Sequence, residues 1–138
     1  MEIETARAVV YPWLCDAMGH LATRHYMKIF DDATYGLLAN LGYALRDAHA
    51  SRRGWADVSH QIEYRREVLS GDVLVAATGI ESLGRTSITY RTSIFRVTER
   101  EQGCATLKGV MVHFDLNERR ALPLPSDIRA AGELLLQT

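Results

Sequence analysis

The segment Cys15-Asp16-Ala17-Met18-Gly19-His20 contains the side chains of this sequence that are best suited to chemistry. Asp16 lies just before a predicted helix, and the first N–H groups of a helix have no partner inside it. These donors, at the positive end of the helix, can stabilise charge that builds on the oxygen of a thioester or ester carbonyl. The Asp16 carboxylate can attack that carbonyl or take a proton from an attacking water. Gly19 allows a close approach of the backbone at this point.

A simpler interpretation of the same segment is structural. Aspartate is common before helices because its carboxylate accepts hydrogen bonds from free backbone amides. Asp16 and His20 are then loop-capping residues with no part in catalysis. The spacing alone leaves both interpretations open.

Other catalytic and metal-binding patterns are missing from the sequence. The histidines show neither an HExxH motif nor the spacing of Cys/His ligands, so we expect no metal site; they are His20, His25, His49, His60 and His113. No serine lies in a G-x-S-x-G motif, which argues against a serine hydrolase. His60 shares a predicted strand face with Val58 and Ile62, where a partly buried structural histidine is the more common role.

Composition and charge favour one folded domain over residues 1–138. The chain is 47% hydrophobic and 24% charged, with a net charge of −1, which disfavours a general nucleic-acid binder. No apolar run approaches the roughly 20 residues that span a bilayer, and the acidic start Met1-Glu2-Ile3-Glu4-Thr5 is unlike a secretory signal. Cys15 and Cys104 are expected to be free thiols. We therefore expect a cytoplasmic protein without a membrane or nucleic-acid partner.

One long amphipathic helix is predicted from Thr23 to Leu41. Its apolar residues recur at steps of three and four, and Gly42 follows as a helix-ending glycine; the apolar residues are Tyr26, Ile29, Phe30, Ala33, Leu37 and Leu41. A helical or irregular piece is expected to follow through about Arg53.

The rest of the chain is predicted to be mostly strands. The β-favouring segments are Ile3–Tyr11, Trp55–Tyr64, Val73–Leu83, Ser87–Val97 and Ala105–Asp115. Polar turns are expected at 70–72, 84–85 and 99–103, and a short helix from Ser126 to about Leu136. A change of phase at Phe95 predicts a bulge or a twist in the fourth strand. The fifth strand is apolar on both faces and is expected to be central and covered on both sides.

This element order predicts an α+β fold. One helix must cover a twisted, mostly antiparallel sheet of five strands, because nothing else in the chain can bury the apolar face of the sheet. The arrangement is called a hotdog fold. Its open sheet edges and outer face predict a homodimer or a higher homo-oligomer.

The sequence also resembles the 4-hydroxybenzoyl-CoA thioesterase-like hotdog family of acyl-CoA thioesterases. The segment Val10–Leu21, continued by Tyr26, Phe30, Asp31 and Ala33, is similar to the opening signature D-x-D-x-x-G-H-V-N-N-x-x-Y-x-x-x-F-E-x-A of that family. Later segments resemble it too, so that the similarity covers essentially the whole chain; they are Ile62-Glu63-Tyr64, Ser70–Leu74 and Leu83–Ser87.

The resemblance implies an acyl-CoA thioesterase in which Asp16 is the catalytic nucleophile or general base. It places Gly19, His20 and Thr23 in the same catalytic segment. The oxyanion site would be formed by the amides around Ala22, Thr23 and Arg24. Coenzyme A, which enters as part of the substrate and is not a cofactor, would lie across a subunit interface of a homodimer or homotetramer. Arg85 and Ser87 match residues near its phosphates, and His60 and Glu63 lie on a strand that often lines the acyl end. No metal or redox cofactor is implied.

The sequence departs from the family pattern at three places. Leu14 replaces the first aspartate, Ala22-Thr23 replaces the Asn-Asn pair, and Asp31 replaces the glutamate. The missing amides favour one alternative, a non-catalytic protein that binds acyl-CoA or an acyl carrier. A second alternative is a hotdog hydro-lyase, for which His60 and Glu63 are the candidate acid/base pair.

Overall fold

Five long strands form one antiparallel sheet in the computed structural model, which describes residues 1–136. The strands are β1 (Glu2–Val9), β2 (Arg53–Tyr64), β3 (Val73–Leu83), β4 (Ser87–Arg96) and β5 (Glu99–Asp115), and a short β6 (Arg120–Ala121) pairs with β5. Their spatial order is β1-β3-β4-β5-β2, so that β1 and β2 are the edges. The predicted five-stranded antiparallel sheet is confirmed.

The long predicted helix is α1 (Thr23–Asn40), which packs against the sheet. Its apolar stripe is buried, as its periodicity predicts, and Gly42 follows it with a φ of +89°. The predicted irregular piece contains a short α2 (Ala48–Ser51), and α3 (Ser126–Leu136) packs on β3 at the end of the chain. The α+β arrangement expected from the sequence, with one long helix packed on the sheet, is therefore the fold. No helix within residues 1–136 is long and apolar enough to cross a membrane.

The helix α1 packs tightly against β1 at Gly36. Thr5 is the extra residue of a bulge in β1, where the pairing with β3 shifts between Glu4 and Ala6. The Thr5 carbonyl lies directly against Gly36 of α1, and a Cβ at Gly36 would be 2.9 Å from the carbonyl carbon. The Thr5 hydroxyl lies 2.8 Å from the Thr78 hydroxyl, and the Thr78 hydroxyl lies 2.8 Å from the Thr92 hydroxyl. These bonds tie the bulge to the buried centre of the sheet.

Two strand predictions are wrong in part. The polar segment Glu99–Gly103 is the start of β5 and not a turn, because the chain reverses at residues 97–98. Its polar side chains remain exposed, with Glu99 near the guanidinium of Arg96. The first strand ends at Val9 and not at Tyr11, because residues 12–14 form a 3-10 turn that begins with a bond from the Leu14 amide to the Tyr11 carbonyl.

Bulges change the faces of two strands. The irregularity predicted at Phe95 is present, but the bulge lies in β5: the pairing of β4 with β5 shifts on both sides of Phe95, and the extra residues are Cys104 and residues 100–102 of β5. A second bulge in β2 was not predicted: Asp57 pairs with Met111, and the next pair is Ser59 with Val110. Val58 is the extra residue and is 60% exposed, so it does not join His60 on the helix-facing side as expected.

β5 is an inner strand, but only one of its faces is fully covered. The helix-facing side chains of Leu107 and Met111 are buried. On the other face Val110, Val112 and Phe114 are only half-buried in the single chain. The expectation of a strand covered on both sides is therefore met on one side alone.

Candidate active site

Asp16 lies in the connection from β1 to α1, called here the Asp16 loop (residues 10–22). The Oδ1 atom of its carboxylate accepts hydrogen bonds from the amides of Met18, at 2.9 Å, and His20, at 3.2 Å. Backbone bonds close the same turn, from the Asp16 amide to the His20 carbonyl and from the Gly19 amide to the Asp16 carbonyl. Within residues 1–136 the hydrogen bonds to this carboxylate fall on Oδ1 alone. The side chain is therefore held in place with Oδ2 left for chemistry.

Gly19 permits this turn by its conformation. Its φ is +80°, in the left-handed region that other residues rarely adopt. A Cβ would meet no atom within 4 Å, so the space around it is open. The sequence predicted a need for close backbone approach at Gly19, and the actual need is its positive φ.

His20 connects the Asp16 loop to the segment that follows β2. Its Nε2 lies 3.1 Å from Oε1 of Glu67, and its backbone forms an isolated bridge with Leu69. Its amide is one of the two donors to Asp16. His20 therefore acts on the carboxylate through its backbone, while its side chain fixes the loop.

The beginning of α1 supplies the backbone donors. Ala22 is at the N-cap position, and no side chain caps the helix. The Ala22 amide already donates to the Leu14 carbonyl at 2.9 Å, and the His25 amide donates to the Ala22 carbonyl at 2.9 Å. The resemblance implies three amides for the oxyanion site, and of these the Ala22 amide is already hydrogen-bonded within the protein. Those of Thr23 and Arg24, in the first turn, are the ones available to an oxyanion.

One cavity of about 370 Å³ brings these groups together. It is lined by Asp16, His20 and Thr23 from the Asp16 loop and the start of α1. Tyr26 of α1 and Tyr64 at the end of β2 form part of its wall, with ring centroids 5.0 Å apart in an edge-to-face contact. A carboxylate and a helix N-terminus therefore open into the same space.

Two arginines at this cavity were missed as site residues. Arg65 and Arg66 line it, although the sequence gives them no feature beyond two adjacent charges. Arg65 pairs with Glu63, and Arg66 lies 3.3 Å from Oε2 of Glu99. Both of their amides donate to the Cys104 carbonyl. Their position depends on where β2 ends, which no local pattern encodes.

The candidate acyl-end residues His60 and Glu63 lie on opposite faces of β2. His60 is opposite Gly109 on the helix-facing side, and Glu63 is opposite Thr106 on the outer side. The nearest carboxylate to His60 is Asp57, with 3.8 Å between Nε2 and Oδ1. The acid/base pair proposed for a hydro-lyase is therefore not assembled in this chain.

Asp31 forms a second acidic group with Asp57. Burial raises the pKa of the Asp31 carboxyl, the charges of Asp57 and Asp32 raise it further, and His60 lowers it. Asp31 and Asp57 line a separate cavity of about 260 Å³ with Trp55. This group lies toward the start of β2, whereas Asp16 lies beside its end.

Arg85 and Ser87 lie at the other end of the sheet from Asp16. Ser87 pairs with Val112, whereas the Asp16 cavity is level with Tyr64, which pairs with Ala105. Seven residues of β5 separate these levels, which is about 23 Å at 3.3 Å per residue. Within one chain these two residues are not brought to the Asp16 cavity.

Residues 1–136 contain no cluster of three or more His, Cys, Asp or Glu side chains that could hold a metal ion. Cys15 and Cys104 are free thiols, and Cys104 is buried. The groups at the cavity that could take part in chemistry include the Asp16 carboxylate and the backbone amides at the start of α1.

A curled antiparallel sheet around one long helix is the hotdog fold, and here the Asp16 loop lies at the N-terminus of that helix. The model of the thioesterase-like superfamily matches residues 10–132. The chain therefore belongs to this superfamily, and its class is that of the thioester hydrolases. The resemblance seen in the sequence is confirmed.

Solved structures share the fold at low sequence identity. A 1,4-dihydroxy-2-naphthoyl-CoA thioesterase from Synechocystis is 19% identical, with a TM-score of 0.85 and 100% of both chains covered. A protein from Staphylococcus aureus in complex with CoA is 15% identical, with a TM-score of 0.87 over 98% of this chain and 85% of that one. A probable thioesterase from Escherichia coli is 20% identical, with a TM-score of 0.76 and 99% of both chains covered. A comparison with curated protein sequences finds no match.

Proposed function

We propose that the protein is an acyl-CoA thioesterase that hydrolyses its substrate with the carboxylate of Asp16. The observation that carries the proposal is the position of Asp16: two amides hold its Oδ1, and the residue lines the same cavity as Thr23 at the start of α1. The Synechocystis neighbour acts on an acyl-CoA and the Staphylococcus aureus neighbour binds CoA, which supports CoA thioesters as the substrate class.

Two routes use this geometry. In the first, Asp16 takes a proton from a water whose oxygen adds to the thioester carbonyl. In the second, Oδ2 adds to the carbonyl itself, CoA leaves as the thiolate, and water hydrolyses the resulting anhydride. In both, the amides of Thr23 and Arg24 stabilise the oxyanion, and the CoA thiolate takes up a proton after it leaves. Neither route requires a metal or a redox cofactor.

A homodimer paired along β2 would complete the site. β2 is a 12-residue edge strand, and such an edge readily pairs with another chain. Antiparallel pairing of two copies would place the Tyr64 end of one β2 beside the Arg53 end of the other. The Asp16 cavity would then face Arg85, Ser87 and the Asp31–Asp57 group of the second copy. CoA bound across this interface would reach both the Asp16 cavity of one copy and Arg85 and Ser87 of the other, although these residues lie far apart within one chain.

The outer face of the sheet is less suited to a large contact between dimers. Glu81 pairs there with Arg91 and with Lys108, at 2.7 and 3.2 Å. We therefore propose a homodimer, with a homotetramer as the alternative. Light scattering coupled to size-exclusion chromatography tests this directly. The exposed side chain of Val58 in the middle of β2 offers a variant, since Val58→Arg should yield monomers without activity if the proposed interface is correct.

The function is tested by release of free CoA from short, long, branched and aromatic acyl-CoAs. Asp16→Asn should lower kcat by about a hundredfold or more, the scale of losing a positioned acid/base group. Glu4→Gln is the control, because Glu4 is an exposed carboxylate on β1, the sheet edge opposite β2, where it pairs with Arg7 outside the Asp16 cavity. It should leave kcat within about twofold.

Three outcomes would contradict parts of the proposal. Full activity in Asp16→Asn would retain the thioesterase and remove Asp16 from its mechanism. Ligand-induced thermal stabilisation without CoA release would favour the non-catalytic binding protein. In single-turnover hydrolysis in ¹⁸O water, label in the Asp16 carboxylate would exclude the general-base route, because Asp16 gains a water oxygen only through an anhydride that is hydrolysed at its own carbonyl.

We also propose a cytoplasmic location. Cys15 is partly exposed and Cys104 is buried, and both are free. An exposed free thiol is typical of a reducing compartment. A fluorescent fusion in the native host would test the location.

A further inference from the structure

The Asp16 loop is held at both ends by one neighbouring segment, called here the clamp loop (residues 67–72). At its start, the Val10 amide donates to the Asp72 carbonyl at 2.9 Å, and the Val10 carbonyl accepts from the Gly71 amide at 2.8 Å. At its end, the Leu21 amide donates to the Val68 carbonyl at 2.8 Å. The segment that carries the Asp16 carboxylate is thus hydrogen-bonded to the clamp loop at both of its ends.

The clamp loop itself is fixed by an ion pair. Arg96 of β4 places its Nε 3.1 Å from Oδ2 of Asp72, and its Nη2 donates to the Glu67 carbonyl. The same Asp72 oxygen accepts the Leu69 amide at 2.9 Å. One guanidinium therefore fastens the first and last residues of the clamp loop.

This ion pair is more sheltered than the others within residues 1–136. The side chains of Arg96 and Asp72 are 18% and 22% exposed, whereas every other ion pair has a partner that is at least 40% exposed. Burial opposes the charge of Arg96, and the hydrogen bond and charge of Asp72 outweigh it, so that the pKa of Arg96 is raised. Screening by solvent, which makes most surface pairs weak, is reduced at this position.

The irregular pairing at the end of β4 gives Arg96 its place. The pairing with β5 shifts between Phe95 and Arg96, at the change of phase seen in the sequence. Arg96 also pairs with Leu74 of β3, directly after the clamp loop. The irregular end of β4 therefore has a use that the proposed chemistry did not account for.

We infer that Arg96 and Asp72 are positioning residues of the enzyme, which set the place of Asp16 relative to α1 through the clamp loop. Neither side chain touches the cavity of Asp16. The inference rests on the proposed function for its kinetic test, but its structural test does not. A displacement of about 1 Å at a reacting group can cost about a hundredfold in rate.

The kinetic test compares two ion pairs on one strand. Arg96→Gln and Asp72→Asn should each lower kcat by about ten- to a hundredfold and change KM by less than about threefold. Their double variant should be no slower than the slower single variant, because the two residues act as one unit. Arg96→Lys, which keeps the charge, should recover part of the loss. Arg91→Gln breaks the pair with Glu81 on the outer face of β4 and should change kcat by less than about twofold.

The structural test is amide hydrogen exchange in the same variants, without substrate. The Leu21 amide donates to the Val68 carbonyl, and in Arg96→Gln it should exchange at least about tenfold faster than in the wild type. In Arg96→Lys the increase in its exchange rate should be smaller. Amides of β5 should be unchanged. All measurements are made below the thermal transition of each variant. Equal losses in Arg91→Gln, or unchanged kcat and exchange in the Arg96 and Asp72 variants, would overturn the inference. If the wild type hydrolyses no acyl-CoA, the proposed function fails, and the exchange result still decides the role of the ion pair.

Discussion

Gly36 of α1 lies directly against the backbone of β1, and Gly36→Ala tests this packing. Alanine in a helix interior normally stabilises by about 0.5–1 kcal/mol relative to glycine. Here its Cβ would lie 2.9 Å from the carbonyl carbon and 3.1 Å from the Cα of Thr5, and closer still to the Thr5 oxygen. These atoms belong to the backbone of β1 and have no rotamer that relieves the contact.

The size of the stability loss in Gly36→Ala follows from how far α1 and β1 must separate. An ordinary carbon contact is about 3.5–4.0 Å, so α1 and β1 would have to separate by several tenths of an ångström or more. The bulge at Thr5 resists this, because its hydroxyl bonds with Thr78 and Thr92 fix it to the sheet. Overpacking of this kind costs about 1–3 kcal/mol and exceeds the helix-propensity gain. We expect a net loss of about 1–2 kcal/mol, which lowers Tm by about 3–8 °C.

Urea and thermal unfolding measure this loss, and Gly132→Ala is the matched control. Gly132 is also helical, in α3, but the atoms that its Cβ would meet are the methyl ends of Leu83 and Ile80, at 3.2 to 3.4 Å. These can shift, so that this variant should be within about 0.5 kcal/mol of the wild type. A Gly36→Ala protein as stable as Gly132→Ala would refute the reasoning from the Thr5 contact.

Variants at three further positions test other features. Gly19→Ala should cost about 1–2 kcal/mol and lower kcat, while Gly19→Asn, which tolerates a positive φ, should be milder in both assays; equal effects would show that the φ of Gly19 is unimportant. Gly109→Ala would place its Cβ 2.9 Å from a ring carbon of buried Tyr90 and should lower the urea midpoint by an amount equivalent to about 1–3 kcal/mol; an unchanged midpoint would contradict the packing. Asp31 has a raised pKa in the folded protein, so its stability contribution falls as pH rises through that pKa. Asp31→Asn should therefore raise Tm at pH 7 and have little effect near pH 3; a Tm gain independent of pH would contradict the pKa argument.

The elements of the fold could be predicted because their signals are local. β3 has the predicted bounds Val73–Leu83, and α1 starts at the predicted Thr23. Periodicity of three and four, alternation, and glycines at turns depend only on residues a few positions apart. Asp16 and Gly19 could be singled out for the same reason, since the loop that orients the carboxylate spans residues 16–20.

The remaining features depend on pairings between distant residues. Asp57 reaches the helix-facing side of β2 only through a bulge, and a bulge depends on the register with β5. The Ala22 amide is occupied by a carbonyl eight residues earlier, a bond that no spacing indicates. Arg66 lines the Asp16 cavity because β2 ends beside the Asp16 loop, while Ser87 is carried to the opposite end by the strand order. Strand order and register are properties of the whole sheet and have no local signature.

The bonds that orient the Asp16 carboxylate all come from amides no more than four residues away, whereas the walls of its cavity come from α1, β2 and the clamp loop. Tyr26, Tyr64 and Arg65 make none of these bonds, so substitutions at these positions should leave the hydrogen bonds within residues 16–20 in place. Under the proposed function, the carboxylate and the surface that recognises the acyl group can therefore change independently in evolution. A descendant of this chain could acquire a new acyl preference by changes at Tyr26, Tyr64 or Arg65 while residues 16–20 stay as they are.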